Sequence, residues 1–244
     1  MEYGKMLDDA FSYTREGVLG KGSRWVKLII GTILLTIPLM GYVMRIYRGT
    51  APAPEVDNWG TLCIDGLKLI VIGIVYSIPL IILEIIAYGP QIAAVLSGNL
   101  AGVPSPGSGL SQNPVMIALI FLFDIIICIL VPVALIRFAR TNSFREAFSI
   151  GKVIDYIGKI GWLRYILAII IISLVIGVPV FVLCFVLLLA GIFLGFALAT
   201  FIAIIALILI LAPVLQILQA RYMTRVYDSA APAETVPPEP VPAV

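Results

Sequence analysis

Histidine is absent from this chain of 244 residues, and cysteine occurs only three times. Zinc sites, haem ligation and Cys/His nucleophiles depend on these two side chains. The cysteines, Cys63, Cys128 and Cys184, lie dozens of residues apart, which matches no metal-binding spacing. We therefore interpret them as small apolar side chains and predict neither a metal site nor a cofactor.

The short motifs of common catalytic sites are missing as well. The sequence contains no GxxxxGK(S/T) phosphate loop, no HExxH and no GxSxG. It also has no soluble segment large enough to hold a separate site. We therefore predict no catalytic residue, no enzymatic activity and no nucleic-acid partner.

Charged residues are scarce, at 12% of the chain against 61% hydrophobic residues, and the mean hydropathy is +1.11. A soluble domain has about twice that share of charge, so an all-α integral membrane protein is predicted. Apolar runs of about 20 residues can cross a core of roughly 30 Å as helices. Five such runs occur: Trp25–Met44, Leu67–Ala87, Pro114–Phe138, Tyr165–Leu189 and Phe196–Leu218.

The few charges are distributed unevenly between the connections. All sixteen Lys and Arg residues fall in four stretches, at 1–27, 45–68, 137–164 and 221–225. The connections at 88–114 and 190–195 contain no charge. Because short inner loops of membrane proteins are enriched in Lys and Arg, the basic stretches are predicted inside and the uncharged ones outside.

Similar segments recur along the chain. The entrance segment 9–27 matches 146–164 at a constant offset of 137, and the exit box "YVMRIYRGTAPAPE" (42–55) resembles "YMTRVYDSAAPAE" (222–234) at an offset of 180. A weaker copy begins at "DNWGTLCIDGLK" (57–68) and ends at "IRFAR" (136–140). Internal repeats are common in membrane folds. The sequence thus predicts one helical membrane domain, 1–227, built from repeats at about 5–48, 57–140 and 143–227, with a disordered Pro/Ala-rich tail at 228–244.

The first apolar run allows two topologies. If matching boxes face the same side, Trp25–Met44 enters and returns as a re-entrant hairpin bent near Gly31 and Pro38, and all sixteen basic residues lie inside. Such a hairpin must be buried in protein, because lipid leaves free backbone groups unpaired. A single span instead places five basic residues outside. The distribution of basic residues favours the hairpin, whereas the length of the run favours the single span. In both topologies the other four apolar runs are full spans.

Two segments outside the spans have amphipathic helical patterns. On a helix, Ala147, Ile150, Ile154, Ile157 and Gly161 share one face and the basic residues the other, and residues 5–18 have a similar division. These interfacial helices would lie in the membrane surface or pack on other helices. Basic and aromatic residues beside the runs are predicted to anchor the chain at the headgroups: Arg45, Tyr47, Arg137, Arg140, Arg225, Tyr227, Trp25 and Trp162.

Two carboxyl groups, Glu84 and Asp124, are the only ionisable groups well inside the runs. They lie on consecutive antiparallel runs, roughly 7 and 16 Å from the outer side, so a kink or a stagger would bring them together. Intramembrane carboxyl groups are costly and are candidates for function. In the alternative interpretation Glu84 reaches the interface and Asp124, protonated, hydrogen-bonds a neighbouring helix.

Three segments carry a resemblance to a known family: "GYVMRIYRG" (41–49), "WGTLCIDGLKL" (59–69) and "FREAFSIGKV" (144–153). The chain resembles, over about residues 5–228, an archaeal family of polytopic membrane proteins known as domain of unknown function 4013. It is more faintly similar to the membrane domain of some glycerophosphodiester phosphodiesterases, whose catalytic domain is missing here. The resemblance implies a multi-pass protein of an archaeal plasma membrane and no established function.

Two classes of function follow. The first is a non-enzymatic scaffold that organises the membrane and whose partners are the lipid bilayer and either further copies of itself or other membrane proteins. The second is a small transporter or channel for protons, ions or a lipid-like solute that uses Glu84 and Asp124. One ambiguous pair of acids is slender support for transport, so the scaffold is the preferred prediction.

Overall fold

The computed structural model of the chain describes residues 2–19, 22–33, 36–98, 113–194, 198, 205 and 211–230. Within these ranges all regular structure is helical, which confirms the predicted all-α class. The helices are α1 Tyr3–Thr14, continued by a π-helical turn at Arg15–Leu19, then α2 Gly22–Ile33, α3 Ile37–Tyr47, α4 Trp59–Leu96, α5 Pro114–Thr141, α6 Phe144–Phe148, α7 Ile150–Ile160, α8 Trp162–Leu194 and α9 Ala212–Asp228. Two residues, Ser229 and Ala230, follow α9 as a turn, and most of the predicted tail lies outside the described residues.

Among the described residues, three helices are long and apolar enough to cross a membrane. They are α4 with 38 residues, α5 with 28 residues and the 28-residue stretch Trp162–Leu189 of α8. At 1.5 Å per residue, 28 residues extend about 42 Å, more than a hydrocarbon core of about 30 Å. Three of the predicted spans are confirmed in this sense. The run Phe196–Leu218 lies largely outside the described residues, so the full set of five segments is not confirmed.

The first apolar run forms two helices instead of one. Helix α2 ends at Ile33, α3 begins at Ile37, and Thr36 between them has a positive φ of 64°. A Cβ added to Gly31 would lie 3.4 Å from that of Pro38, so α2 and α3 come close beside the turn. With 12 and 11 residues, each helix is about 17 Å long, too short to span. A single straight span from Trp25 to Met44 is therefore not the structure.

The two ends of this helical hairpin meet. Arg24, near the start of α2, forms an ion pair with Glu55 and donates a hydrogen bond of 3.2 Å to the carbonyl oxygen of Ala53. Lys27 donates another, also 3.2 Å long, to the carbonyl oxygen of Val56. The residues that enter the first run thus contact the residues that follow its exit, as the hairpin topology requires.

The buried core lies at one end of the long helices. In α4 the buried residues are Leu62, Gly66, Leu69 and Ile72, with Ala87 further along; in α5 they fall between Val133 and Ala139; in α8 they are Tyr165, Ala168 and Ile172. Helices α1, α3, α7 and α9 complete this core. We call this part of the molecule the basic end, because the Lys- and Arg-rich stretches lie there. Away from it, the long helices expose most of their apolar side chains.

Helices α3 and α4 cross with their backbones in contact. A Cβ added to Gly41 would lie 2.0 Å from the carbonyl oxygen of Leu62, and one added to Gly66 would lie 1.9 Å from that of Ile37. Such distances are far shorter than any van der Waals contact, so a side chain at either glycine would force the helices apart. Small residues at crossings are a common means of close packing between membrane helices.

Helix α7 divides its apolar residues between two faces. Val153, Ile157 and Ile160 are buried in the core, whereas Ile150 and Ile154 are exposed. The predicted apolar face had grouped Ile150, Ile154 and Ile157 together, so the face that packs is displaced from the prediction. The reason is that α7 packs against both α5 and α8, and the position of those helices cannot be obtained from the periodicity of α7 alone.

Candidate functional site

The two intramembrane acids lie on exposed surfaces of the long helices. Glu84 is twelve residues beyond Ile72 on α4, and Asp124 is nine residues before Val133 on α5, which places them about 18 and 14 Å from the core of the basic end. Both side chains are exposed, and among the described residues neither has a hydrogen-bond or ion-pair partner. The structure therefore does not join them into a pair.

The surroundings of both acids are apolar and exposed. The exposed neighbours of Glu84 on its own face include Ile81 and Ile85; those of Asp124 include Phe121 and Ile125. Cys128, one helical turn after Asp124, is exposed too. Each carboxyl group is thus a single polar group on a surface that is otherwise suited to lipid or to another apolar helix.

Most of the polar contacts lie at the basic end, where the three exit boxes meet carboxylates. The arginines at equivalent positions of the predicted repeats are Arg45, Arg137 and Arg225. Arg45 pairs with Asp57, Arg137 with Glu146 and Arg225 with Asp9. Each exit box therefore binds the entrance segment of the next predicted repeat, and the last binds the first. These contacts close a ring of ion pairs through the chain.

The contact that closes the ring is made by Asp9. Its carboxylate accepts hydrogen bonds from Nε of Arg221 at 2.7 Å and from Nε of Arg225 at 2.8 Å. The guanidinium of Arg221 also lies over the ring of Tyr13, 4.4 Å from its centroid, a cation–π arrangement. Burial raises the pKa of Asp9, but the hydrogen bonds from Arg225 and Arg221 outweigh it and lower the pKa to about 2.

The second ion pair of the ring is shared with a lysine. Glu146 accepts hydrogen bonds from Arg137 and from Nζ of Lys152 at 2.5 Å. These hydrogen bonds, that of Lys152 first and that of Arg137 second, hold the pKa of Glu146 below its usual value. Because Asp9 and Glu146 differ by the same offset of 137 that relates the two entrance segments, equivalent carboxylates receive equivalent arginines.

A second set of contacts joins the exit boxes to one another. Arg140 donates to both carboxylate oxygens of Asp228, at 2.8 and 3.0 Å. Its guanidinium also lies 2.9 Å from where a Cβ at Gly49 would be, and Gly49 has a φ of 87°. The ends of α3, α5 and α9 thus converge on Arg140.

The predicted headgroup anchors occupy different environments. Tyr47 is buried in the core, and Tyr227 stacks on Tyr156 with ring centroids 4.0 Å apart. Trp25 is partly buried, whereas Trp162 is exposed. The arginines among these anchors bind carboxylates of the same chain. Their partners, Asp9, Asp57, Glu146 and Asp228, were not singled out from the sequence, although the matching positions of Asp9 and Glu146 were visible there.

No group of three or more Cys, Asp or Glu side chains suited to a metal ion occurs within the described ranges. The three cysteines are free thiols there. The polar chemistry of the described structure is therefore concentrated in ion pairs and in the two separate acids.

The chain belongs to a family described as Protein of unknown function (DUF4013), whose model matches residues 26–189. The match covers nearly all of the hairpin and all three long spans, and it confirms the resemblance to this family that the segments 41–49, 59–69 and 144–153 carry. Asp9, Arg221 and Arg225, which close the ring, lie outside the matched range. No curated protein and no solved structure matches the chain.

Proposed function

We propose that this member of the DUF4013 family is a non-enzymatic, multi-pass plasma-membrane protein that self-associates within the bilayer and acts there as a scaffold. The observation that carries the proposal is the exposure of Glu84 and Asp124, each without a hydrogen-bond or ion-pair partner among the described residues, on apolar surfaces of α4 and α5. A second copy of the chain is the partner proposed to cover them.

The cost of leaving these carboxyl groups in lipid supports an association. An acidic side chain near the centre of a spanning helix costs on the order of 2.5 to 3.5 kcal/mol on insertion scales. A protonated carboxyl group recovers part of this by a hydrogen bond to a facing helix, worth about 1–2 kcal/mol in model peptides. Apolar neighbours such as Ile85 and Ile125 would pack around that bond, so the same surface offers both contact area and a polar contact.

The ion pairs at the basic end also support a scaffold. The guanidinium groups of Arg45, Arg137 and Arg225 bind carboxylates of the same chain and so join its predicted repeats. A network of this kind stabilises one arrangement of the helices. A transporter of the kind that rocks one repeat against another would have to break such contacts in each cycle.

The test compares polar and apolar replacements of one acid. The full chain, labelled with donor or acceptor dyes and reconstituted in liposomes, would report dimers by energy transfer over a dilution series. We expect Asp124→Leu to weaken association about tenfold, corresponding to about 1.4 kcal/mol, and Asp124→Asn to retain it because the amide still hydrogen-bonds. Leu122→Ala is the control, since two residues along a helix turn it about 200° away.

The outcomes separate the two functions. Energy transfer that is absent in the wild type, or equal in Asp124→Leu and wild type, would remove the scaffold proposal. Transport remains the alternative, favoured by the same acids: proton flux into the liposomes that is abolished by Glu84→Gln and Asp124→Asn, without a change in association, would establish it instead.

A further inference from the structure

Two cations where α7 meets α8 take no part in the ion pairs of the basic end. Lys159, near the end of α7, and Arg164, in the first turn of α8, are exposed, and among the described residues neither side chain has a hydrogen-bond or ion-pair partner. The backbone between them is held in place, because Tyr3 donates a hydrogen bond of 3.1 Å to the carbonyl oxygen of Arg164. We call residues 159–164 the α7–α8 corner.

The segment that contains this corner has an excess of positive charge. Residues 144–164 include four cations and two acids, namely Arg145, Lys152, Lys159, Arg164, Glu146 and Asp155. One of the acids, Glu146, is shared between Lys152 and Arg137, which lies outside the segment. Residues 2–16, in α1 and its π-helical continuation, have the opposite balance, with four acids and two cations. The charge at the α7–α8 corner therefore favours an anionic partner.

The α7–α8 corner also lies where the exposed apolar surface of α8 begins. Trp162 and Leu163 are 45% and 72% exposed, and the exposed apolar surface continues along the helix with Ile166, Leu167 and Ile170. Because this part of α8 is long and apolar enough to span, its first turn lies at the level where headgroups meet acyl chains. A lipid there contacts both the cations and the apolar residues, whereas a soluble anion contacts the cations alone.

Helix α7 has an apolar and a cationic edge outside the face that packs in the core. Ile154 is exposed on one side of that face, and Lys159, five residues later, lies about 140° further around the helix. Gly151 and Gly158 fall between these two edges on the exposed side. This division is typical of a helix that lies in the membrane surface, with its apolar edge at the acyl chains and its cations among the headgroups.

We propose that the α7–α8 corner binds anionic phospholipids, with Lys159 and Arg164 donating hydrogen bonds to headgroup phosphates and with Trp162 and Leu163 against the upper part of the acyl chains. Hydrogen bonds from cations to phosphate are charge-assisted and strong, and tryptophan is enriched at the level of the headgroups. This contact goes beyond the proposed scaffold: it involves neither of the intramembrane acids and does not require self-association.

The test measures which lipids surround Trp162 in the full chain. Trp25→Phe and Trp59→Phe leave Trp162 as the one tryptophan, and this parent chain is reconstituted in liposomes of phosphatidylcholine and phosphatidylglycerol. Bromine atoms on the acyl chains of one lipid or the other quench the indole on contact, so the ratio of quenching gives their relative binding constant. We expect phosphatidylglycerol to be preferred about tenfold, corresponding to about 1.4 kcal/mol. The preference should fall in about 1 M NaCl, where the Debye length is about 3 Å.

Charge variants of the parent chain locate the contact. Lys159→Gln with Arg164→Gln should bring the preference close to equality. The matched control, Arg15→Gln with Lys27→Gln, removes the same charge from exposed positions of the first entrance segment and should leave the preference unchanged. Photoactivatable phosphatidylglycerol bound to the wild-type chain is the second measurement, with cross-links expected on residues 159–166.

Three results would overturn the proposal. Equal quenching by the two lipids in the parent chain would show that the corner does not select anionic lipids. An equal loss of preference in both double variants would assign the effect to the net charge of the whole chain. Loss of the preference in an excess of glycerol 1-phosphate, which has the phosphate but no acyl chain, would identify a site for soluble phosphate instead.

Discussion

Asp9 and Arg225 are 216 residues apart and joined by two hydrogen bonds, the longer of which is 2.8 Å between Oδ2 and Nε. Arg221, one helical turn before Arg225, binds the same carboxylate. The side chain of Arg221 is only 6% exposed, so its charge depends on Asp9 for compensation. This contact joins α1 to α9, the first and last helices of the described residues, and closes the ring of ion pairs at the basic end.

Replacing Asp9 should therefore destabilise the fold more than replacing its neighbour. Removing one partner of a buried pair can cost 3–5 kcal/mol; we expect about 2 kcal/mol for Asp9→Asn, because Asp9 itself is 28% exposed and Arg225 can regain water. Asp8→Asn is the matched control, since Asp8 is exposed. Unfolding of the purified chain in detergent by increasing SDS would measure both, and equal stabilities would contradict the importance of the contact.

The same contact predicts a loss of stability in acid. The folded-state pKa of Asp9, about 2, lies below the ordinary value of 3.8, so the unfolded chain binds more protons between these values. Stability from this group is complete above pH 4 and declines as the pH falls toward 2, by about 1–2 kcal/mol in total. Melting temperatures of the wild type and Asp9→Asn from pH 5 to 2 should converge; a constant difference would exclude this linkage.

The crossing of α3 and α4 predicts a strong dependence on two glycines. Gly66→Ala would place a methyl group where the carbonyl oxygen of Ile37 lies, so the helices must separate. Overpacking costs about 1–3 kcal/mol even where side chains can move, and we expect the upper part of that range or a failure to fold. Gly41→Ala should behave alike. Gly73→Ala, on the same helix in open space, should be neutral or slightly stabilising.

Those glycine variants would be compared by the yield of monodisperse protein and by thermal unfolding. If Gly66→Ala and Gly73→Ala had the same melting temperature, the backbone contact between α3 and α4 would be disproved.

The hairpin of α2 and α3 predicts that both its ends are accessible from the same side of the membrane. Single cysteines at the exposed positions Ser23 and Thr50, introduced after Cys63, Cys128 and Cys184 are replaced by serine, should react with an impermeant thiol reagent from one side of sealed vesicles. Ser97→Cys, at the far end of α4, should react from the other side. Reaction of the Ser23 and Thr50 variants from opposite sides would require a single span instead.

The hairpin could be predicted from the sequence because the residues that indicate it lie close together along the chain. Trp25–Met44 is about 20 residues long and contains Gly31 and Pro38, and the placement of basic residues on both sides of it favoured a return. The turn between Ile33 and Ile37 and the contact of Arg24 with Glu55 join residues close in sequence. The length and apolarity of the three confirmed spans are likewise local properties.

The sequence by itself determined three features of this protein. They are apolar stretches long enough to cross a bilayer as helices, the confinement of charged residues to one set of connections, and the repeated boxes that end those stretches. Only the tertiary structure decided which partners the boxes bind. The prediction that Arg45 and Arg225 anchor the chain at the headgroups did not include their carboxylate partners, Asp57 and Asp9, and α7 packs a face different from the predicted one. An ion pair across 216 residues and a packed helix face both depend on where distant helices lie, and no periodicity of one helix contains that information.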